Sequence, residues 1–213
     1  MADWYRRKTW TKIDEEEFFH KLSRARKDGR AQYLRLQAYE LTETKDPKLL
    51  EVAKVLLNRI LTEYPNEHFE KSAALHLLGH ICKQFQDYRG ALNFYKQALD
   101  FEKIFPNVKT QAYLDFSELI IKTGNLKYFD EVECILLKKN AELLFPIEKY
   151  KVNSILSIIN KYKGNQEKAN YFAELAEQNA NAETSGLMYH KHLGIVHERD
   201  DLLDKLVKEN EKL

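Results

Sequence analysis

Residues 72–105 read SAALHLLGHICKQFQDYRGALNFYKQALDFEKIF. Leu75, Leu78, Gly79 and Cys82 recur at steps of three and four, so one face of a helix is apolar and in part small. After Gln86-Asp87-Tyr88 the pattern resumes with Ala91, Phe94, Tyr95, Ala98 and Leu99. The spacing predicts two helices, about 68–85 and 88–104, joined by a tight turn. Phe105-Pro106-Asn107 stops the second, because proline cannot continue a helix. Small residues at 79, 91 and 98 let the two helices approach, and the bulky neighbours fill the space beside them.

The punctuation of this hairpin repeats along the chain. Pro65, Pro106 and Pro146 each follow an aromatic residue, at intervals of 41 and 40 residues. Gly124 and Gly164, in Thr123-Gly124-Asn125 and Lys163-Gly164-Asn165, are 40 apart. A fixed period of about 40 residues predicts stacked helical hairpins. Upstream, Asp46-Pro47 starts a helix whose apolar face runs from Leu49 to Leu61 and ends at Tyr64-Pro65-Asn66. A helix with Tyr33, Leu34, Leu36, Tyr39 and Leu41 precedes it, beginning near Arg30 after an Asp28-Gly29 turn. Downstream, Tyr113, Phe116, Leu119 and Ile120 predict one helix, with a partner from about Tyr128 until Phe145-Pro146 ends it. Val152, Ile155, Leu156 and Ile159 predict the next, with a partner carrying Ala169, Phe172, Ala173 and Ala176. A last pair is expected at Gly186–His197 and Asp200–Lys212, the final helix serving as a solvated cap. Near the start, Asp14 with Glu17 predicts a capped helix to about Lys27.

Residues 72–105 resemble a tetratricopeptide repeat, a 34-residue helical hairpin. With Ser72 as position 1, Leu75, Leu78 and Gly79 fall at 4, 7 and 8, and Ala91, Tyr95 and Ala98 at 20, 24 and 27. Cys82 stands where the family has a tyrosine, and the proline comes about three residues late. The other units match more loosely: Ser157 and Ser117 take the place of Gly79, Gly194 keeps it, and an insert falls around Thr42–Lys48. The resemblance covers roughly residues 30–200 and implies an all-α, right-handed superhelix of about five hairpins. It implies a domain over 30–213, preceded by an aromatic, basic segment and capping helix over 1–29.

It also implies a groove lined by each hairpin's first helix. Carried over position by position, the first pair offers Gln32, Arg35 and Tyr39, and the clear repeat His76, His80, Lys83 and Gln84. The third offers Gln111, Asp115, Glu118 and Lys122; the fourth Lys151, Ser154 and Lys161; the last Lys191 and His192. The family's lysine–asparagine clamp for a terminal carboxylate is missing, since its positions hold His76, His80 and Asp115.

Composition narrows the function classes. Thirty-four basic residues against 33 acidic give a net charge of +1, which supplies no general field for nucleic acid or anionic lipid. Seven glycines and four prolines are few for an all-β fold. Cys82 and Cys134 are too few for a disulfide framework and read as packing thiols. No apolar run predicts a leader or a membrane span, so a cytoplasmic location is expected.

Chemistry has few candidates. His76 and His80, one turn apart, have a metal-ligand spacing, but the intervening Leu77-Leu78-Gly79 lacks a zinc-protease glutamate and no third ligand stands out. They read as polar groove residues, and His190, His192 and His197 as surface histidines. No phosphate loop or carboxylate pair is present, so no cofactor, metal or catalytic residue is expected. Trp4, Tyr5, Arg6, Arg7 and Trp10 interleave aromatics with cations. That composition suits a cap over the first hairpin, a protein interface or, less well at this net charge, stacked bases. The expectation is a non-catalytic module that binds another protein through its groove. The alternatives are an immunity-type inhibitor sitting on a toxin or enzyme, and an RNA-binding helical repeat.

Overall fold

The computed structural model describes residues 3–209, and these are helical with no strand. Ten α-helices follow in order: α1 (Lys12–Arg24), α2 (Lys27–Glu43), α3 (Pro47–Glu63), α4 (His68–Gln84) and α5 (Tyr88–Ile104); then α6 (Ala112–Lys122), α7 (Phe129–Asn140), α8 (Pro146–Tyr162), α9 (Gln166–Ala180) and α10 (Asp201–Lys208). A single 3-10 turn, Leu126–Tyr128, leads into α7. The chain divides into two compact units between Ala112 and Tyr113.

In the first unit α2 packs on α3, α3 on α4 and α4 on α5. Leu34, Ala38, Leu56, Ile60, Leu78 and Ile81 are all buried in one core. α4 and α5 match the boundaries read from sequence to within one residue. Their close approach is set at Gly79, where a Cβ would stand 2.5 Å from Tyr95 Cδ1, and Tyr95 is fully buried. Asp87 caps α5 by accepting from Gly90 N at 2.9 Å, and Asp46 caps α3 by accepting from Lys48 N at 2.8 Å.

Three local expectations are corrected here. The cap of α1 is Thr11 rather than Asp14, which sits at the third helical position and closes a reciprocal capping box with it. Asp28-Gly29 is no turn: α2 already starts at Lys27, and Arg30 donates to the carbonyls of Ser23 at the end of α1 and of its C-cap Ala25 at 2.5 and 3.1 Å. Those carbonyls have no partner within their own helix, so one arginine makes a two-residue corner possible without a glycine turn. Most of the insert at 42–48 is absorbed by helix, leaving a three-residue link in which Lys45 takes a φ of +58°.

In the second unit α8 packs closely on α9 and also meets α7 and α10. α8 is buried almost all round, including Asn153, Ser154, Ser157 and Asn160. Pro146 begins α8 instead of closing α7, which stops at Asn140; a proline is harmless at a first helical position. Gly186–His197 is not a helix. Gly186 and Gly194 have φ of +79° and +71°, and Leu187, Met188, Tyr189 and Leu193 are exposed, so a helix there would have had no apolar face to bury. Gly194 does keep a packing duty: a Cβ would fall 2.5 Å from Phe145 Cδ1, and its carbonyl accepts from Ile147 N at 2.8 Å. No helix among the described residues is long and apolar enough to cross a membrane.

Candidate functional site

The first-helix face of the first unit is formed by α2 and α4. Gln32 and Tyr39 are exposed on α2. Arg35 is committed to structure: its Nε donates to Glu70 Oε2 at 2.5 Å, and its guanidinium lies 5.4 Å from the Phe69 ring. On α4 the His76 and His80 rings stand 4.7 Å apart, and both lie against the buried Tyr95 ring at 5.7 and 5.8 Å. The pair offers two of the four ligands a structural zinc site uses. Lys83 is half-buried, and Gln84 donates to the Thr42 carbonyl at 3.3 Å, tying α4 to α2. Gln111 lies one residue before α6 and is exposed.

The N-terminal aromatic segment is folded onto this unit. Trp4 packs at a tilt against Phe18 at 5.3 Å and Tyr33 at 5.0 Å, and Trp10 meets Phe18 at 5.3 Å. Tyr5 packs on Tyr33 at 4.8 Å. Buried Gln37 clasps the Arg7 main chain, accepting from its N–H at 3.0 Å and donating to its carbonyl at 2.7 Å. Arg7 also binds Asp14 and Glu17, and Arg6 binds Glu40 at 3.1 Å. These aromatics and cations are thus engaged within the unit, in the arrangement of a cap. Hydrogen bonds from Thr11, from Arg7 and from Thr9, working against desolvation, hold the Asp14 carboxyl down to about 2.

The second unit differs from expectation in a way that matters for function. Glu118 and Ser154 are not groove surface but buried, at 4 % and 1 % exposure. Ser154 turns back onto the Tyr150 carbonyl at 2.9 Å. Glu118 accepts from Lys151 at 2.7 Å and sits 3.6 Å from Lys122 Nζ. Lys122 donates onward to Asp200 Oδ2 at 2.5 Å, and Lys161 donates to the Val207 carbonyl at 2.9 Å. Lys191 and His192 lie on the irregular segment, both exposed, while Asp115 is half-buried on α6.

Two of the positions expected to face a ligand in this unit instead meet the chain's own C-terminal segment: Lys122 at Asp200, which caps α10, and Lys161 at Val207. Tyr150 Oη donates to Asp204 Oδ1 at 2.8 Å and accepts from Asp200 N at 3.0 Å. Arg199 donates to Asp204 at 2.6 Å and forks onto Glu177 at 3.0 and 2.6 Å. Leu203 is fully buried and Leu206 and Val207 half-buried, while Asp201, Leu202, Lys205 and Lys208 are exposed, so α10 lies on the unit with one face and turns a charged face to solvent. Tyr150, Glu177, Arg199 and Asp204 were absent from the sequence reading. The available signal was the apolar set Leu203, Leu206 and Val207 on a short helix that otherwise looks charged.

The electrostatics follow the contacts. The Arg199 fork, helped by Asn181, holds the Glu177 carboxyl down to about 2. Burial would raise the Asp200 carboxyl, but the Lys122 and Leu203 N–H hydrogen bonds outweigh it and the net shift is down. Burial and the Asp204 hydrogen bond push the Tyr150 hydroxyl up to about 12, so it stays a donor.

The thiols separate. Cys82 is half-buried and burial pushes its pKa up, which fits a packing role, whereas Cys134 is exposed and the packing expectation for it is corrected. Compared with known protein families, curated proteins and solved structures, the chain matches none of them.

Proposed function

We propose that the chain is a tetratricopeptide-like helical-repeat module that binds another protein and performs no chemistry of its own. One observation carries this reading. In the second unit, two of the positions that the resemblance assigns to ligand contact hold α10 or its cap: Lys122 on Asp200 and Lys161 on Val207. A face of first helices that retains a helix of its own chain has the chemistry to retain one from elsewhere. In the first unit the equivalent face presents Gln32, Tyr39, His76, His80 and Lys83. Of these, Tyr39 is of the residue type that anchors protein interfaces.

The test is affinity capture with the full chain from the source organism's lysate. The expected result is a stoichiometric protein retained by the wild type and reduced at least tenfold by combined His80→Glu and Lys83→Glu, with unchanged circular dichroism. Recovery of nucleic acid alone would overturn the reading. Recovery unaffected by the double variant would remove the first-unit face from it.

A further inference from the structure

We propose that α10 is an internal stand-in for a ligand, and that the α6–α8 face of the second unit takes a short acidic amphipathic helix of a partner protein in its place. This rests on the protein-binding reading above and adds the chemistry of the partner. The features of α10 define what the face selects. Asp200, which caps the helix by accepting from Leu203 N, also accepts from Lys122, and Asp204 in the first turn accepts from Tyr150. Leu203, between them, is the one side chain of α10 that is fully buried. Lys161 then receives a carbonyl of the last helical turn, where main-chain acceptors lack partners within the helix. The template is an acidic residue, a leucine three positions on, a second acidic residue next to it, and a helix end within reach of a lysine.

Charge points the same way. Lys122 and Lys151 both pair with the buried Glu118 carboxylate and Lys161 adds a third cation at the Val207 carbonyl, which leaves these side chains with a positive balance towards α10. α10 is also suited to leave. Eight residues are too few to hold a helix in isolation, Leu202 is 40 % exposed, and ion pairs weaken with salt. A tethered segment competes at high effective concentration, so an external helix gains access only when α10 is loosened or when it binds better.

The experiment uses a fluorescein-labelled peptide of residues 198–209, ERDDLLDKLVKE, titrated by anisotropy into the full chain. The Leu203→Asp and Asp204→Asn variants should each bind it at least tenfold tighter than the wild type, because their own α10 no longer holds the face. Adding Lys122→Glu to Asp204→Asn should return binding to the wild-type level or below. Equal binding by wild type and variants would overturn the proposal. So would an absence of binding in variants that keep wild-type helical circular dichroism. Loss of helical signal in both variants would make α10 an integral part of the core and overturn it as well. Failure here with capture through the His80 and Lys83 face intact would remove the support that α10 gives and leave the general binding reading resting on the first-unit face; peptide binding with no captured protein would count against the general reading alone.

Discussion

Gly79 shows how one residue sets a helix pair. Alanine is a better helix former than glycine by about 1 kcal/mol, so propensity alone favours Gly79→Ala. The added methyl would meet the edge of the Tyr95 ring, and that ring is fully buried among other groups and has no room to withdraw. Overpacking of this kind costs about 1–3 kcal/mol. Gly79→Ala is therefore expected to destabilise the chain by about 1–2 kcal/mol in urea unfolding, and a stabilised variant would refute the packing account. Gly79 was legible from sequence because close approach leaves a mark in residue size. The fates of Glu118 and Ser154 were not, since a polar residue gives the same pattern whether water or a buried partner satisfies it.

At the scale of elements, ends were harder to read than faces. The apolar periodicity placed α3, α4, α5, α8 and α9 correctly, because burial of one face repeats over several turns. Ends depend on single hydrogen bonds. Thr11 caps α1 by accepting from Asp14 N at 3.2 Å while Asp14 accepts from Thr11 N at 2.8 Å. Thr11→Ala removes the first bond and should cost about 1 kcal/mol, with increased amide exchange confined to the first turn of α1; protection unchanged there would show that the aromatic cap alone holds the helix start. The same logic explains why Asp28-Gly29 and Pro146 misled. Arg30 supplies from its side chain, five and seven residues on, what a glycine turn would have supplied through the backbone, and a proline after an aromatic residue marks the end of one helix or the beginning of the next with equal ease.

For the whole molecule, acid is the informative perturbation, because carboxylates hold segments in both units. Asp14 and Glu177 have folded-state pKa values of about 2, below an ordinary value near 4, and Asp200 is shifted in the same direction. A depressed carboxyl stabilises the folded state above its unfolded pKa, and the stabilisation disappears as pH falls through the folded value. The urea midpoint should stay level from pH 8 to about 5 and fall between about 4.5 and 2. Glu177→Gln should remove part of that fall, and a variant with the wild-type profile would show that the Arg199 fork contributes nothing to stability. Periodicity, small residues and turn punctuation sufficed to specify an all-helical chain of successive hairpins, since each is a local property repeated every 40 residues or so. Only tertiary structure decided what covers what: that Trp4 and Trp10 fold inward on Phe18, that Gly186–His197 stays irregular, and that α10 lies on α8 through Leu203, Asp200 and Asp204. Those outcomes rest on contacts between residues up to 54 positions apart, and a pattern read along the chain carries no term for the distance that folding removes.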